Sequence, residues 1–163
     1  MDQVKEAVIK IYGNRLRTRV CGLCMINDKI LMINHRGVGQ TDTFWCPPGG
    51  EVQFGETVPS ALVREFREET GLDVAVGRML FVNEFMRLPL HAVELFFEVS
   101  VVGGQMMVGS DPEMNDNEQV IQALKLMTFD EIKQHPIHEV HALFGHCSSR
   151  SDVFSLSGYL TSN

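Results

Sequence analysis

The chain has no apolar run long enough to span a bilayer. Its polar start, MDQVKEAVIK, lacks the charged-then-apolar pattern of a secretory signal. A cytoplasmic protein with no membrane partner is the expectation. Positive charge is also scarce: 14 Lys and Arg stand against 21 Asp and Glu, a net charge of −7. That balance argues against a broad nucleic-acid footprint, so no nucleic-acid polymer is expected as a partner. It would also repel a polyphosphate unless cations sat between the two. No internal repeat and no linker breaks the 163 residues. One domain, 1–163, is expected, long enough to bury a core, and a homodimer is one assembly open to it. Within it the serine-rich stretch 148–163 is expected to be a loosely ordered tail, with Phe154, Leu156, Tyr159 and Leu160 available for packing.

Several metal and redox motifs are incomplete. Cys21 and Cys24 form a CxxC, but no second pair completes a zinc site. The flanking residues read as a strand, so the two thiols point to opposite faces and are expected to be packing groups. Asp111, Glu113, Asn115 and Asp116 lack the glycine and the preceding helix of a calcium loop. His135, His138, His141 and His146 cluster without an acid or Cys to complete a transition-metal site.

What is present is a regular alternation of elements. Residues 2–12 carry apolar positions at helical spacing, and a helix or an edge extension are both open. Residues 17–26 and 29–34 read as strands joined by the turn Asn27-Asp28. A polar loop, 37–43, follows. Strands are expected over 74–86, 91–102 and 120–127, with Gly103-Gly104 as a turn into a short segment at 105–108. Thr128 and Glu131 form a capping box for a helix ending near Gln134, and 137–147 could form another.

The densest stretch is GGEVQFGETVPSALVREFREETGL, 49–72. Thr57 is a good N-cap, Pro59 fits the first turn and Gly71 is a C-terminal stop. On a helical wheel with Leu62 at zero, Val58, Leu62 and Phe66 span about −40° to +40°. Glu69 falls at about −20°, inside this apolar stripe, with Glu65 at about −60° and Glu68 at about −120°. Three carboxylates crowd one side, and burying them is costly unless they are paired, protonated or bound to a cation. Mg²⁺ or Mn²⁺ with oxygen ligands is the natural answer. The alternative is a solvated acidic face balanced by Arg64 and Arg67, which the wheel places on the opposite side, at about 200° and 140°.

Gly50, five residues, Glu56, seven residues, then Arg64-Glu65-Phe66-x-Glu68-Glu69-x-Gly71-Leu72 resembles the Nudix box position for position. The approach Thr43 to Gly50 is similar too, with Pro47 where many relatives carry an aliphatic residue. The resemblance implies an α/β fold, a Nudix-type α/β/α sandwich with a mixed central sheet. It implies an Mg²⁺-dependent hydrolase that cleaves the diphosphate linkage of a nucleoside diphosphate joined to another moiety: a nucleotide sugar, a (d)NTP or a dinucleoside polyphosphate. A catalytically silent nucleotide-binding or regulatory domain is the competing reading. Glu65, Glu68, Glu69 and the Gly49 carbonyl would hold the metal, with Glu68 the first candidate to take the water's proton. Arg64 would pair with Glu56. Family members draw a further ligand or base from the loop before the last strand. Glu118 is the first candidate there, ahead of Asp116 and Glu113. Arg36, Arg87 and His91 are candidates for phosphate or leaving-group contacts.

Overall fold

The structure, a computed structural model, describes residues 2–162. Gln3–Tyr12 form a helix, α1, capped by the Asp2 side chain, so the helical alternative is the one taken. It buries Val4, Ala7 and Val8. Arg15–Ile26 (β1) and Lys29–His35 (β2) form the expected hairpin. Asn27 and Asp28 both take positive φ, 50° and 62°, as a tight two-residue turn between twisted strands requires. Phe44–Cys46 (β3) and Gly49–Glu51 (β4) are short strands on either side of Pro47-Pro48.

Val58–Thr70 form the second helix, α2. Thr57 accepts a hydrogen bond from Ser60 N–H, and Gly71 ends the helix at φ 72°. Its buried face carries Ala61, Leu62 and Phe66, together with Glu69. Full burial of an aromatic such as Phe66 stabilises by roughly 1.5–3 kcal/mol. Leu72–Arg87 (β5) and Leu90–Gly104 (β6) then make a long antiparallel pair. Ile121–Met127 (β7), Phe129–Gln134 (α3), Arg150–Ser155 (α4) and Tyr159–Ser162 (β8) complete the chain.

The strands form one mixed sheet in the order β3-β2-β1-β6-β5-β8, with β4 paired to β1 and β7 to β2. β1 with β6 and β5 with β8 are parallel, and the other pairings are antiparallel. α2 packs one face through Val20, Cys24 and Leu31. Ile132 of α3 and Val153 of α4 pack the other, against Cys21, Leu23 and Phe96. This is the expected α/β/α sandwich. Cys21 and Cys24 fall in different core clusters, as opposite faces of a strand require, and both are free.

Three segments differ from expectation. Gly103-Gly104 is no turn: β6 continues through both, paired with Asp73 and Leu72. Residues 105–108 do not return as a hairpin partner, and the chain 105–110 takes another path. It crosses the C-terminal end of α2, where Gln105, Met107, Gly109 and Ser110 N–H donate to the carbonyls of Gly71, Thr70, Glu69 and Glu68 at 2.9–3.3 Å. The last carbonyls of a helix need such external donors, and this need overrides the local turn signal. Residues 137–147 make two 3-10 turns, Ile137–Glu139 and Ala142–His146, in place of one helix. The break falls where His141 N–H donates to Trp45 O at 2.9 Å. The tail 148–163, expected to be loosely ordered, carries α4 and β8. Ser149 and Asp152 cap α4 reciprocally, and β8 runs along β5 with Tyr159 opposite Val82.

Gly109 lies so close to α2 that a Cβ there would sit 1.8 Å from Glu68 O. Gly109→Ala should therefore destabilise the fold by about 1–3 kcal/mol. A thermal melt should show a Tm lower by several degrees, and an unchanged Tm would mean that the crossing segment is not anchored to the helix.

Candidate active site

The box helix brings its acids to one cavity by a chain of local contacts. Glu56 accepts from Gln53 N–H at 3.0 Å, which closes the loop ahead of α2. Arg64 grips that loop: Nε donates to Glu56 Oε1 at 2.7 Å, and Nη2 to Glu56 Oε2 and to Glu51 O at 3.1 and 3.2 Å. Its remaining nitrogen, Nη1, donates to Glu65 Oε1 at 2.9 Å and to Glu68 Oε2 at 3.2 Å. Arg64 thus pairs with two of the three glutamates, so the acidic face is neutralised in part. Residues 64 and 68 are i,i+4 neighbours, about 40° apart on the wheel, and the contact follows from helix geometry.

Glu69 is buried, and its Oε2 accepts from Gly49 N–H at 3.0 Å. Burial, then the charge of Glu65, push its carboxyl well above the usual range, against the opposing pull of that bond and of Arg19. Burial likewise raises Glu65 to about 7, although Arg64 pulls it down. Glu68 is the most exposed of the three. A Cβ at Gly50 would lie 2.2 Å from the Glu65 carboxyl carbon and would displace that carboxylate, and one at Gly49 would meet the Val20 carbonyl oxygen at 2.1 Å. The glycine pair is therefore what lets a strand backbone lie directly on the carboxylates.

Behind Gly49 stands a network that the sequence reading did not identify. Arg19 Nη2 reaches Gly49 O at 3.4 Å, and Nη1 donates to Glu94 Oε1 at 2.9 Å. Glu94 is fully buried on β6 and also accepts from Asn83 Nδ2 at 3.0 Å and from His141 Nε2 at 2.6 Å. Leu143 N–H donates to His141 Nδ1, so the proton of the ring sits on Nε2. Burial pushes Glu94 up, but His141, Arg19 and Asn83 outweigh it and hold the carboxyl down at about 2.

The cavity takes in Gly49, Gly50, Arg64, Glu65, Glu68 and Glu69, with Arg17 and Arg19 on β1 and Asp111, Pro112 and Glu113 from the loop before β7. Its apolar walls include Val8 and Tyr12 of α1, Phe44, Phe85 and Leu90. His35 and Cys46 also face it, 3.4 Å apart. Burial lowers the histidine to about 3 and raises the thiol to about 12, so the pair is neutral and supplies no thiolate nucleophile.

Of the residues singled out from sequence, Gly49, Arg64, Glu65, Glu68 and Glu69 converge here. Glu118 does not line the cavity: it accepts from Asn115 Nδ2 at 2.9 Å, and Glu113 takes the cavity position. Arg36 donates to Gln119 O at 2.9 Å, His91 pairs with Glu84 at 2.7 Å, and Arg87 lies over the rings of Phe44 and Phe85. None of these three lines the cavity. His135 packs on Trp45 and His141 bonds Glu94, so the histidines do not gather. Arg17 and Arg19 were legible as alternate residues of one strand, a pattern that puts both side chains on one face.

Among the described residues no three His, Cys, Asp or Glu side chains form a ready-made metal centre. The donors nonetheless fit a hard divalent cation: they are all oxygens, and burial makes two of the carboxylates costly to keep charged alone.

Fold and site together define an α/β sandwich whose acids are gathered on one capped helix beneath the glycine pair of β4. The NUDIX domain family model matches residues 15–145. The chain belongs to the Nudix hydrolase family. It is 36% identical over 112 residues to an ADP-ribose pyrophosphatase of Methanocaldococcus jannaschii, a match covering 66% of each chain. It is 26% identical over 131 residues to Nudix hydrolase 2 of Arabidopsis thaliana, covering 77% of this chain and 45% of that one. The chain thus spans just under two thirds, and under half, of these relatives. A solved NUDIX hydrolase from Nitrosomonas europaea shares the fold, with a TM-score of 0.67 at 20% identity over 82% of this chain and 86% of that one.

Glu94 yields a pH prediction. Between its folded value of about 2 and the ordinary value near 4.3, the folded chain binds fewer protons there than the unfolded chain. Its stabilisation is therefore present at neutral pH and is lost as pH falls through that window. Glu94→Gln should cost about 3–5 kcal/mol near pH 7, with the gap to wild type narrowing below about pH 4.5. Denaturant melts across this range check it; a gap that stays constant would mean that the charge of Glu94 does not hold Arg19.

Proposed function

We propose that the chain is a pyrophosphohydrolase that uses Mg²⁺ or Mn²⁺ to cleave the diphosphate linkage of a nucleoside diphosphate joined to a second moiety. The observation that carries this is the convergence of Glu65, Glu68, Glu69 and the Gly49 carbonyl on one cavity. The likeness to an ADP-ribose pyrophosphatase makes ADP-ribose the first substrate to test. The apolar and aromatic walls offered by Phe44, Phe85 and Val8 suit the base or sugar of such a small molecule. A module that only senses nucleotides has no need of so many buried acids.

Glu65, Glu69 and the Gly49 carbonyl would hold the cation, with Glu68 at its outer side. A cation there would polarise the diphosphate and lower the pKa of the attacking water. Glu68, the most exposed of the three, takes that water's proton, and Glu113 stands across the cavity as the second candidate. Arg64 acts as a positioning residue, locking the loop at Glu56 to the helix that carries the acids. Arg19 positions the Gly49 carbonyl in turn.

Activity should vanish with chelator and return with Mg²⁺ or Mn²⁺; full turnover after exhaustive metal removal would defeat the reading. Glu69→Gln should cost turnover on the order of 10²–10⁴-fold. Without metal it should melt above wild type, because one buried charge beside Glu65 is gone. Added Mg²⁺ should raise the wild-type Tm and raise that of the variant less. A variant that melts lower and keeps the full Mg²⁺ shift would place the cation elsewhere. Glu113→Gln should slow turnover while Glu118→Gln leaves it near wild type. Steady-state rates decide this, and the reverse order would show that the loop rearranges when substrate binds.

A further inference from the structure

β1 carries arginines at alternate positions, so Arg15, Arg17 and Arg19 share one face of the strand. The outer two are committed. Arg15 forks onto Glu51 at 2.6 and 2.8 Å, and Arg19 donates to Glu94 at 2.9 Å. Arg17, between them, is only 8% exposed, and its guanidinium donates no hydrogen bond to any described residue. Its Nε is enclosed without a partner. Its Nη1 stands 4.0 Å from Glu51, a carboxylate already gripped by Arg15. Burial and the neighbouring arginines lower it to about 10, which leaves it cationic at neutral pH.

A buried cation without hydrogen-bond partners is costly, and here the fold fixes it in place. The Tyr12 ring covers one face of the guanidinium, 4.8 Å from Cζ. Tyr12 is itself anchored, its hydroxyl donating to Asp111 Oδ2 at 2.7 Å. It belongs to α1, ahead of the family match that begins at residue 15. Arg17 opens onto the same cavity as the box acids. It lies two residues along the strand from Arg19, and so about 7 Å from the residue that touches the Gly49 carbonyl.

We infer that Arg17, clamped by Tyr12, is an anion-binding and specificity-determining residue that takes the oxygens of a substrate phosphate ester beside the box carboxylates. A planar guanidinium offers parallel N–H donors that match a phosphate, and the two unpaired acceptors of such a group supply what Arg17 lacks. The inference rests on the proposed diphosphate hydrolysis for its substrate class, but binding of the phosphate ester to Arg17 requires neither a metal nor turnover.

The test is calorimetric titration of the full chain in excess chelator, with adenosine 5′-monophosphate, ribose 5-phosphate and adenosine as probes. Wild type should bind at least one of the two phosphate esters. Arg17→Gln should weaken that binding about tenfold or more while adenosine binding stays unchanged. Arg17→Lys keeps the charge over Tyr12 but not the fork, and it should show a smaller loss. It decides the same arms if the Gln variant fails to fold. Loss confined to the nucleotide places Arg17 on the nucleoside side of the linkage, and loss confined to the sugar phosphate places it on the leaving side. The inference is overturned if neither ester binds wild type without metal, if adenosine weakens as much as its monophosphate, or if the variants lose melting temperature alone. With Mg²⁺ and ADP-ribose, KM should rise while kcat stays within a few-fold. Absence of turnover in wild type together with an Arg17-dependent ester affinity would count against the hydrolase reading and leave the anion site standing.

Discussion

Glu69 sits where an amphipathic helix would place a leucine, and most of the site is arranged around that carboxylate. It faces the sheet with Leu62 and Phe66, and among the described residues it receives a single backbone N–H, from Gly49. A buried carboxylate with one neutral donor is under-compensated, and Glu65 one turn away adds a like charge. Two consequences follow. The strand carrying Gly49 and Gly50 has to approach the helix closely, so that a side chain at position 50 would push the Glu65 carboxylate aside. The helix also has to be held rigidly at both ends, because repulsion within the acidic face would otherwise fray it.

The structure holds each end by a different device. At the start, Arg64 binds the loop through Glu56 and turns its last nitrogen to Glu65 and Glu68. At the finish, residues 105–110 lay their N–H groups on the carbonyls of residues 68–71. That second device has an indirect effect. The segment that closes the helix runs straight into Asp111 and Glu113, so the loop that lines the far side of the cavity is anchored to the helix bearing the acids. Across the sheet, the 3-10 turns that hold His141 support Glu94, Arg19 and, through them, the Gly49 carbonyl. The back layer of the sandwich thereby sets the position of a front-layer ligand.

β1, β2, β5, β6 and β7, the Asn27-Asp28 turn, both caps of α2 and the box acids were legible in the sequence, because each rests on local spacing, whereas β8 was not. What was not legible depends on partners distant in the chain. The path of residues 105–110 answers to unpaired carbonyls some forty residues earlier, not to its own glycines. Glu113 lies ahead of the short 3-10 turn, Asp116–Glu118, in the part of the loop that lines the cavity, while Glu118 on that turn is held by Asn115. Arg64 meets Glu68 because i,i+4 residues are neighbours on the helix surface, a spacing the sequence already contained. Glu94 lies within the segment 91–102 expected to be a strand, and only the sheet order, with β6 between β1 and β5, reveals that it faces the interior.

The division between the hydrolytic chemistry and selective recognition also has a physical basis in this chain. The groups assigned to the cation, and the first candidate for the water's proton, lie on α2 or on β4, where spacing is fixed by helix and strand geometry. The groups free to read the rest of a substrate lie elsewhere: Val8 and Tyr12 on α1, Arg17 on the face of β1, and Pro112 and Glu113 on the loop. α1 is outside the family match, yet its last residue holds both the guanidinium of Arg17 and the carboxylate of Asp111. One tyrosine therefore ties the N-terminal helix to the strand and the loop on either side of the cavity. A change in the seating of α1 would move the cationic and acidic walls together, while leaving the box carboxylates, held from the other direction by Arg64 and Gly49, where they are.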